Sequence, residues 1–406
     1  MSALPAFAGY GIELEYMIVD RATLDVRPIA DRLLRDAAGG VVNELERGGL
    51  GWSNELTLHV LELKNVRPAP DLEPLAGGFQ AEVAEIDARL APLGARLLPS
   101  AMHPWMDPAT ETRLWPHEHA EIYAAYERIF GCRRHGFANL QSQHLNLPFA
   151  DDAEFARLHA AVRLVLPILP ALAASSPILE GRPGGLMDAR LEAYRGHQAG
   201  IPETMGRVIP DTVASRAEYR ERILEPMYRA VAPLDPEGLL QHEWLNARGA
   251  IPRFDRSALE IRLIDVQECP GADLAIAAAL AAAVRAIYAQ TWAPLQRQQA
   301  IATEALAEVL SVCIRDAERA VIRNADYLAL LGRMHTPCTA GGLWRHLIEA
   351  APPSAAWQPA LAVLLEQGPL ARRLLRATGP APTHAQLHAV YGELADCLAE
   401  GRMFLS

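Results

Sequence analysis

Lysine is almost missing from this chain: Lys64 is the sole lysine among 38 basic residues, and arginine supplies the rest. The scarcity excludes a phosphate-binding loop of the GxxxxGK[ST] kind and leaves one side chain able to form a Schiff base. A nucleotide's phosphates would have to be held by arginines, metal ions and backbone instead. The five cysteines (Cys132, Cys269, Cys313, Cys338 and Cys397) include no CxxC pair. They argue against a zinc site or a disulfide framework and suit a reducing, cytoplasmic compartment. Positive charge is in deficit overall, with a formal net charge of −11. That makes nucleic acid an unsuitable partner, because phosphate binding needs a net basic face. Residues 1–16 carry no basic, apolar leader. The uncharged run 274–284 stops at Arg285, short of the roughly 20 residues that a bilayer span requires. A buried helix is expected there, and no membrane partner.

What the chain does have is length and apolar content: 406 residues, half of them hydrophobic, ample for a large core. Alternating runs at 11–19 and 56–63 read as strands. Helical spacing runs over 75–93. Asp151 and Asp152 can cap a helix reaching about Leu166, ended by Pro167 and Pro170. Residues 181–211 are rich in Gly, Pro and Arg with no clear period, the mark of a functional or mobile loop. From Ala272 onward the pattern is helical, broken by a loop around Gly341-Gly342 and by Pro352-Pro353. The expected fold class is α+β, with a core over 1–290 and a helical part over 291–406.

The informative segments are short. In Gly11-Ile-Glu-Leu-Glu-Tyr16, strand alternation puts Glu13 and Glu15 on one face and Ile12, Leu14 and Tyr16 on the other. Adjacent carboxylates repel unless cations neutralise them or one is protonated. An edge strand showing two glutamates to water explains such a pair, and so does a site for hard, oxygen-seeking cations such as Mg²⁺. Glu260 and Arg262 share a face in Ala258-Leu-Glu-Ile-Arg-Leu-Ile-Asp265, as an ion pair or as holders of a metal and its phosphate. His144 and Asn146 share a face in Gln141-Ser-Gln-His-Leu-Asn-Leu147. Glu55 and Glu62 are separated by an odd number of positions, so a bulge or a turn must intervene before both can face one way. His117-Glu-His119 reads as solvated, and Trp105 and Trp115 read equally as pocket lining or as packing.

Taken in order, GIELEYMIVD, NELTLHVLELK, LPSAMHPW, QSQHLNL, ASSPILEGR and ALEIRLID resemble the glutamate–cysteine ligase family, in its bacterial type-2 carboxylate–amine ligase branch. The resemblance covers about residues 9–290. It implies a glutamine synthetase-like antiparallel sheet forming an open funnel flanked by helices, with a helical C-terminal part. It implies metal ligands at Glu13, Glu15, Glu55, Glu62, His144 and Glu260, with Glu55 and Arg262 catalytic and Arg262 reaching the transferred phosphate. Arg248 resembles a further arginine of the site. Asn146 stands where the branch commonly has a second histidine, and an amide does not titrate near neutral pH. Arg190, Tyr194 and Arg195 lie in a loosely matching substrate-side loop.

The activity so implied is an ATP-dependent ligation using two or more Mg²⁺ ions, with Mn²⁺ as a substitute. A small-molecule acid, glutamate or a similar amino acid, is activated as an acyl-phosphate and attacked by a small-molecule amine. Homo-oligomerisation is left open. Three rivals remain: a same-fold phosphotransferase of the guanidino-kinase kind, a non-catalytic nucleotide- or amino-acid-binding protein, and a metal-dependent hydrolase using the same carboxylates.

Overall fold

The computed structural model describes residues 3–333 and 336–405. Its frame is an eight-stranded sheet in the order β2-β3-β4-β1-β6-β10-β9, with β5 pairing the far half of β1. The strands are β1 (Gly11–Asp20), β2 (Glu44–Arg47), β3 (Leu50–Asn54), β4 (Val60–Asn65), β5 (Ala95–Leu98), β6 (Ser142–Pro148), β9 (Ala250–Arg253) and β10 (Ala258–Asp265). Every pairing is antiparallel. Two small ribbons lie outside it, β7 (Ile178–Leu179) with β8 (Arg182–Pro183), and β11 (Val321–Ile322) with β12 (Cys338–Thr339).

Alternation divides the sheet into an oily and a polar face. Ile12, Leu14, Leu63, Leu145, Leu147 and Ile261 are buried on one side, each contributing about 1.5–3 kcal/mol by leaving water. The helix Pro270–Tyr288 is the central cover of this face, packing on the helices Asp152–Val165, Glu73–Leu90 and Gln358–Gln367. Its alanines let three neighbours approach closely, and it is buried as the apolar run 274–284 suggested.

Most sequence expectations survive with shifted edges. The helix expected over 75–93 runs Glu73–Leu90 and continues as a 3₁₀ turn to Leu93, ending at Gly94 with φ 66°. Asp151 caps the helix Asp152–Val165, accepting a hydrogen bond from Glu154 N. Two expectations fail. The run 56–63 is a strand only from Val60; ahead of it Val60 N donates to Thr57 O at 3.3 Å, and His59 is buried and bonded to Ala138 O at 2.7 Å. A turn satisfied by its own backbone outweighs the alternation there. Gly341 and Gly342 are not a loop but the first turn of the helix Ala340–Ala350, capped by Thr339 through Gly342 N. A Cβ at Gly341 would lie 3.1 Å from Glu318 O, so the glycine serves close packing rather than a break.

Residues beyond 291 pack onto the sheet's framework. The last helix, His384–Glu400, contacts β5 and the helix Glu73–Leu90. Arg373, from the helix Leu370–Thr378, makes a fully buried ion pair with Glu268, just past β10.

Candidate active site

The polar face of the sheet gathers the charged residues. Register sets Glu13 opposite His144 on β6 and opposite Lys64 on β4. Glu15 lies opposite Glu62, and Asn146 opposite Glu260. Glu13 Oε2 is 2.7 Å from His144 Nδ1, and Asn146 Nδ2 donates to Glu13 Oε1 at 3.1 Å. Glu15 Oε2 accepts from Ser142 N at 2.6 Å and Ser142 Oγ at 2.9 Å. Glu62 Oε1 accepts from Ser53 Oγ at 2.8 Å, with Lys64 Nζ 3.3 Å away. Glu55 falls in the connection just after β3. The turn frees it from strand parity, so its odd spacing from Glu62 is no obstacle.

Electrostatics separate these acids. Burial pushes Glu13 up, but the His144 hydrogen bond and the charges of His144, Lys64 and Arg262 outweigh it and hold the carboxyl at about 2. His144 is correspondingly raised: burial opposes its charge, and Glu13 more than restores it. Glu55 is pushed well above the ordinary carboxylate range by burial, then by the charges of Glu15 and Glu62. Glu62 is raised by burial and by Glu13.

A bulge in β10 completes the polar face. Ile261 pairs with Leu145, yet Ile264 pairs with Gln143, so Arg262 and Leu263 together oppose one residue of β6. The extra residue brings Asp265 opposite Ser142 and so onto the same face as Glu260 and Arg262. Leu263 fills the space over Gly249, where a Cβ would come within 2.5 Å of it. Arg262 Nε sits 3.0 Å from Glu260 Oε1, and Arg253 Nη1 donates to Glu260 Oε2 at 3.0 Å. Asp265 is fully buried; it accepts from Ser175 N at 2.7 Å and Ser176 Oγ at 3.0 Å, and it pairs with Arg190 Nε.

A cavity of about 280 Å³ opens over one half of this face. Glu15, Glu55, Ser142, His144, Arg190 and Arg262 form its polar wall. Tyr123, Tyr126, Phe137, Trp244, Tyr194 and His197 line the rest. Tyr126 bridges the aromatic side, with ring centroids 6.1 Å from Phe137 and 5.8 Å from Trp244. The segment 181–211 supplies Arg190, Tyr194, His197 and Gln198, its short helix Ala189–Tyr194 capped by Asp188 through Leu191 N. Most of the aromatic wall escaped sequence reading. It comes from separate helices and turns with no shared period, and of its residues only Tyr194 lies in a segment whose sequence points to the site.

The candidates therefore divide. Glu13, Glu15, Glu55, Glu62, His144, Asn146, Glu260, Arg190, Tyr194 and Arg262 are brought to the sheet face or the cavity. Arg248 is buried away from the cavity lining, with Nη2 3.1 Å from Asp211 Oδ2 and Nη1 donating to Glu203 O at 3.2 Å. Arg195 turns to a different hollow and donates to Ser311 Oγ at 2.6 Å. His117 pairs with Asp31, and His119 is exposed. Trp105 and Trp115 pack outside the cavity.

The donor set fits a hard divalent cation. Oxygen and imidazole atoms of Glu13, His144 and Glu260 lie within 4.8 Å of one another, as do those of Glu15, Glu62 and His144. Glu55 is raised first by burial and then by the charges of Glu15 and Glu62, and an oxygen-seeking Mg²⁺ held here would offset that repulsion.

An antiparallel sheet with helices on its oily face and a carboxylate row leading into an arginine-bearing cavity is a glutamine synthetase-like fold. The chain belongs to glutamate–cysteine ligase family 2 (GCS2), whose model matches residues 10–384. It is 38% identical over 276 residues to an uncharacterized protein of Archaeoglobus fulgidus, covering 68% of this chain and 74% of that one. It is 29% identical over 286 residues to a Bradyrhizobium protein (strain ORS 278) named "Putative glutamate--cysteine ligase 2", covering 69% and 62% respectively. A Rubrobacter xylanophilus protein named "Putative glutamate--cysteine ligase 2-3" is 29% identical over 268 residues, 66% of each chain. The match thus takes in less than two thirds of these last two relatives. Among solved structures, a glutamate–cysteine ligase of Francisella tularensis in complex with AMP shares the fold at TM-score 0.57 and 12% identity. That likeness covers 95% of this chain and 88% of the other.

Proposed function

We propose that this protein is an ATP- and Mg²⁺-dependent carboxylate–amine ligase, ADP-forming, whose acid is glutamate or a similar amino acid. The observation that carries the reading is the placement of Arg262, Glu15 and Glu55 in one cavity at the end of the carboxylate row. Family membership supports it, as do the names of the relatives.

Carboxylates do not acylate amines directly because oxide is too poor a leaving group. Phosphorylation by ATP turns that oxygen into part of an acyl-phosphate, from which the amine displaces phosphate. Catalysis of the first step is positioning and charge neutralisation. Arg190, fixed by Asp265, orients the acid's carboxylates, and Arg262 faces the oxygens of the transferring phosphoryl group. Glu13, His144, Glu260, Glu15 and Glu62 would hold the metal, with Glu55 beside them; when bound, it neutralises phosphate charge. Asn146 and the Glu13 end of the row lie outside the cavity lining, which leaves them for the nucleotide. The aromatic wall excludes water from the acyl-phosphate.

Residues 1–290 are the catalytic core in this reading, and 291–406 an extension clamped to it by the buried Arg373–Glu268 pair. The five free thiols favour the cytoplasm as the place of work.

The test is release of ADP and phosphate with ATP and Mg²⁺ across a matrix of amino acids as acids and as amines. Turnover that needs one acid–amine pair supports the ligase. Phosphate transfer without any amine supports a kinase, and nucleotide binding without turnover anywhere in the matrix sinks both.

A further inference from the structure

The second half of the ligation needs a group that accepts a proton from the attacking nitrogen. His144 cannot do so freely, because both ring nitrogens are engaged, Nδ1 with Glu13 at 2.7 Å and Nε2 with Ser142 Oγ at 2.9 Å. The Tyr123 phenol is pushed up to about 12 by burial and by Glu55, and burial raises the Tyr126 and Tyr194 phenols as well. None of the three loses its proton near neutral pH.

His197 is differently placed. It is 5% exposed and lines the same cavity as Arg262, Glu15 and Glu55. Its Nδ1 is bonded to the Tyr194 carbonyl oxygen. A carbonyl can only accept, so Nδ1 carries the proton and Nε2 carries the lone pair. Among the described residues Nε2 has no hydrogen-bond partner, and it is not among the polar atoms sealed from solvent. The ring is fixed on both sides: it stacks on Tyr194 at 4.4 Å and meets Phe137 edge-on at 4.7 Å. Gly136 makes room for it, since a Cβ there would lie 2.7 Å from His197 Cβ.

We propose that His197 is a catalytic residue, its Nε2 taking the proton from the amine nitrogen as that nitrogen attacks the acyl-phosphate; this rests on the ligase reading. The neutral amine's lone pair forms the C–N bond, and the nitrogen becomes positively charged and acidic. Its proton passes to Nε2. The C–O bond to phosphate breaks with its electron pair going to the phosphate oxygen, and that oxygen recovers the proton from the imidazolium. Acyl-phosphate and amine thus become amide and hydrogen phosphate, with His197 returned to its starting form. Burial, aided by the charge of Arg262, holds the ring at about 4. The imidazole is therefore neutral before each turnover, with the Nε2 lone pair free to accept.

The experiment compares two nucleophiles in wild type, His197→Asn and His197→Gln, with ATP, Mg²⁺ and L-glutamate or whichever acid the matrix reveals. One nucleophile is the amine of the productive pair. The other is hydroxylamine, which traps acyl-phosphates unaided as hydroxamates. His197→Asn can still donate to the Tyr194 carbonyl while lacking Nε2. In both variants amide formation is expected to fall relative to hydroxamate formation by about 10²–10⁴. Equal losses with the two nucleophiles, or no loss with either, would overturn the role. The hydroxamate itself reports that a variant's site is folded. Wild type that forms no hydroxamate with any acid would defeat the ligase reading, an outcome distinct from failure of His197 alone.

Discussion

Glu13 and His144 face each other across the β1–β6 pairing with Oε2 and Nδ1 2.7 Å apart. The pair makes stability depend on pH in two directions. Glu13 is held at about 2 against an ordinary 4.5, so its contribution is present above 4.5 and is lost as pH falls towards 2. His144 is raised above 6.5, so its contribution is complete below 6.5 and is lost as pH rises through the raised value. Metal-free protein is expected to lose melting temperature on both limbs. Glu13→Gln should flatten both. A variant profile parallel to wild type would show that the pair is not the cause.

Glu55 gives the metal prediction its sign. Its carboxyl is raised by burial and then by Glu15 and Glu62, so in chelator the stability it contributes is present at pH 4.5 and declines as pH rises towards its elevated pKa. Mg²⁺ or Mn²⁺ should reverse that decline and raise the melting temperature, because a ligand that binds only the folded state stabilises it, by about 2.7 kcal/mol at a hundred times Kd. Glu55→Gln should melt higher than wild type in EDTA at pH 8 and gain less from the metal. Differential scanning fluorimetry with and without the ion reads both effects.

Much of this site was legible in the sequence because period-2 alternation sorts side chains regardless of what surrounds them. Glu13 with Glu15, His144 with Asn146, and Glu260 with Arg262 were placed face by face from spacing alone. Asp265 was not, because a one-residue bulge reverses its side and nothing in Arg262-Leu-Ile-Asp265 announces it. The aromatic wall was hidden for a different reason: Tyr126, Phe137 and Trp244 converge only through tertiary packing. Arg248 illustrates the converse. A motif-like setting suggested the site, but its guanidinium is committed to Asp211.

Arg373 and Glu268 have no solvent exposure and pair across the junction between residues before and after 291. Removing one partner of a buried pair strands the other charge, at a cost of about 3–5 kcal/mol. Arg373→Met should therefore lower the urea midpoint markedly. Adding Glu268→Gln should recover part of the loss, because the stranded charge is gone. If the single variant is as stable as wild type, the C-terminal helices do not hold the core through this contact.

Three arginines, one that the resemblance places at the transferred phosphate and two in the loosely matching substrate-side loop, are separated by geometry. Arg262 lines the cavity beside Glu15 and Glu55, so Arg262→Ala should cut turnover by about 10³ or more. Arg262→Lys should not restore it, because an ammonium lacks the planar fork. Arg190 also lines the cavity, but its Nε is held by Asp265 and its backbone N bonds Ser176 Oγ at 3.1 Å. Its role is to present a fixed cation to the acid. Arg190→Ala should raise the acid's KM at least tenfold, with a smaller change in the KM for ATP. Arg195 lies five positions on, yet one short helix turns it towards Glu192 and Ser311, at a separate hollow. Arg195→Ala should leave KM for the acid within about twofold, as expected for a surface ion pair worth under about 1 kcal/mol. Steady-state kinetics with the acid and ATP varied separately distinguish all three. An Arg195 variant as impaired as the Arg190 variant would place the acid in the outer hollow instead, and the assignment of the cavity would have to change.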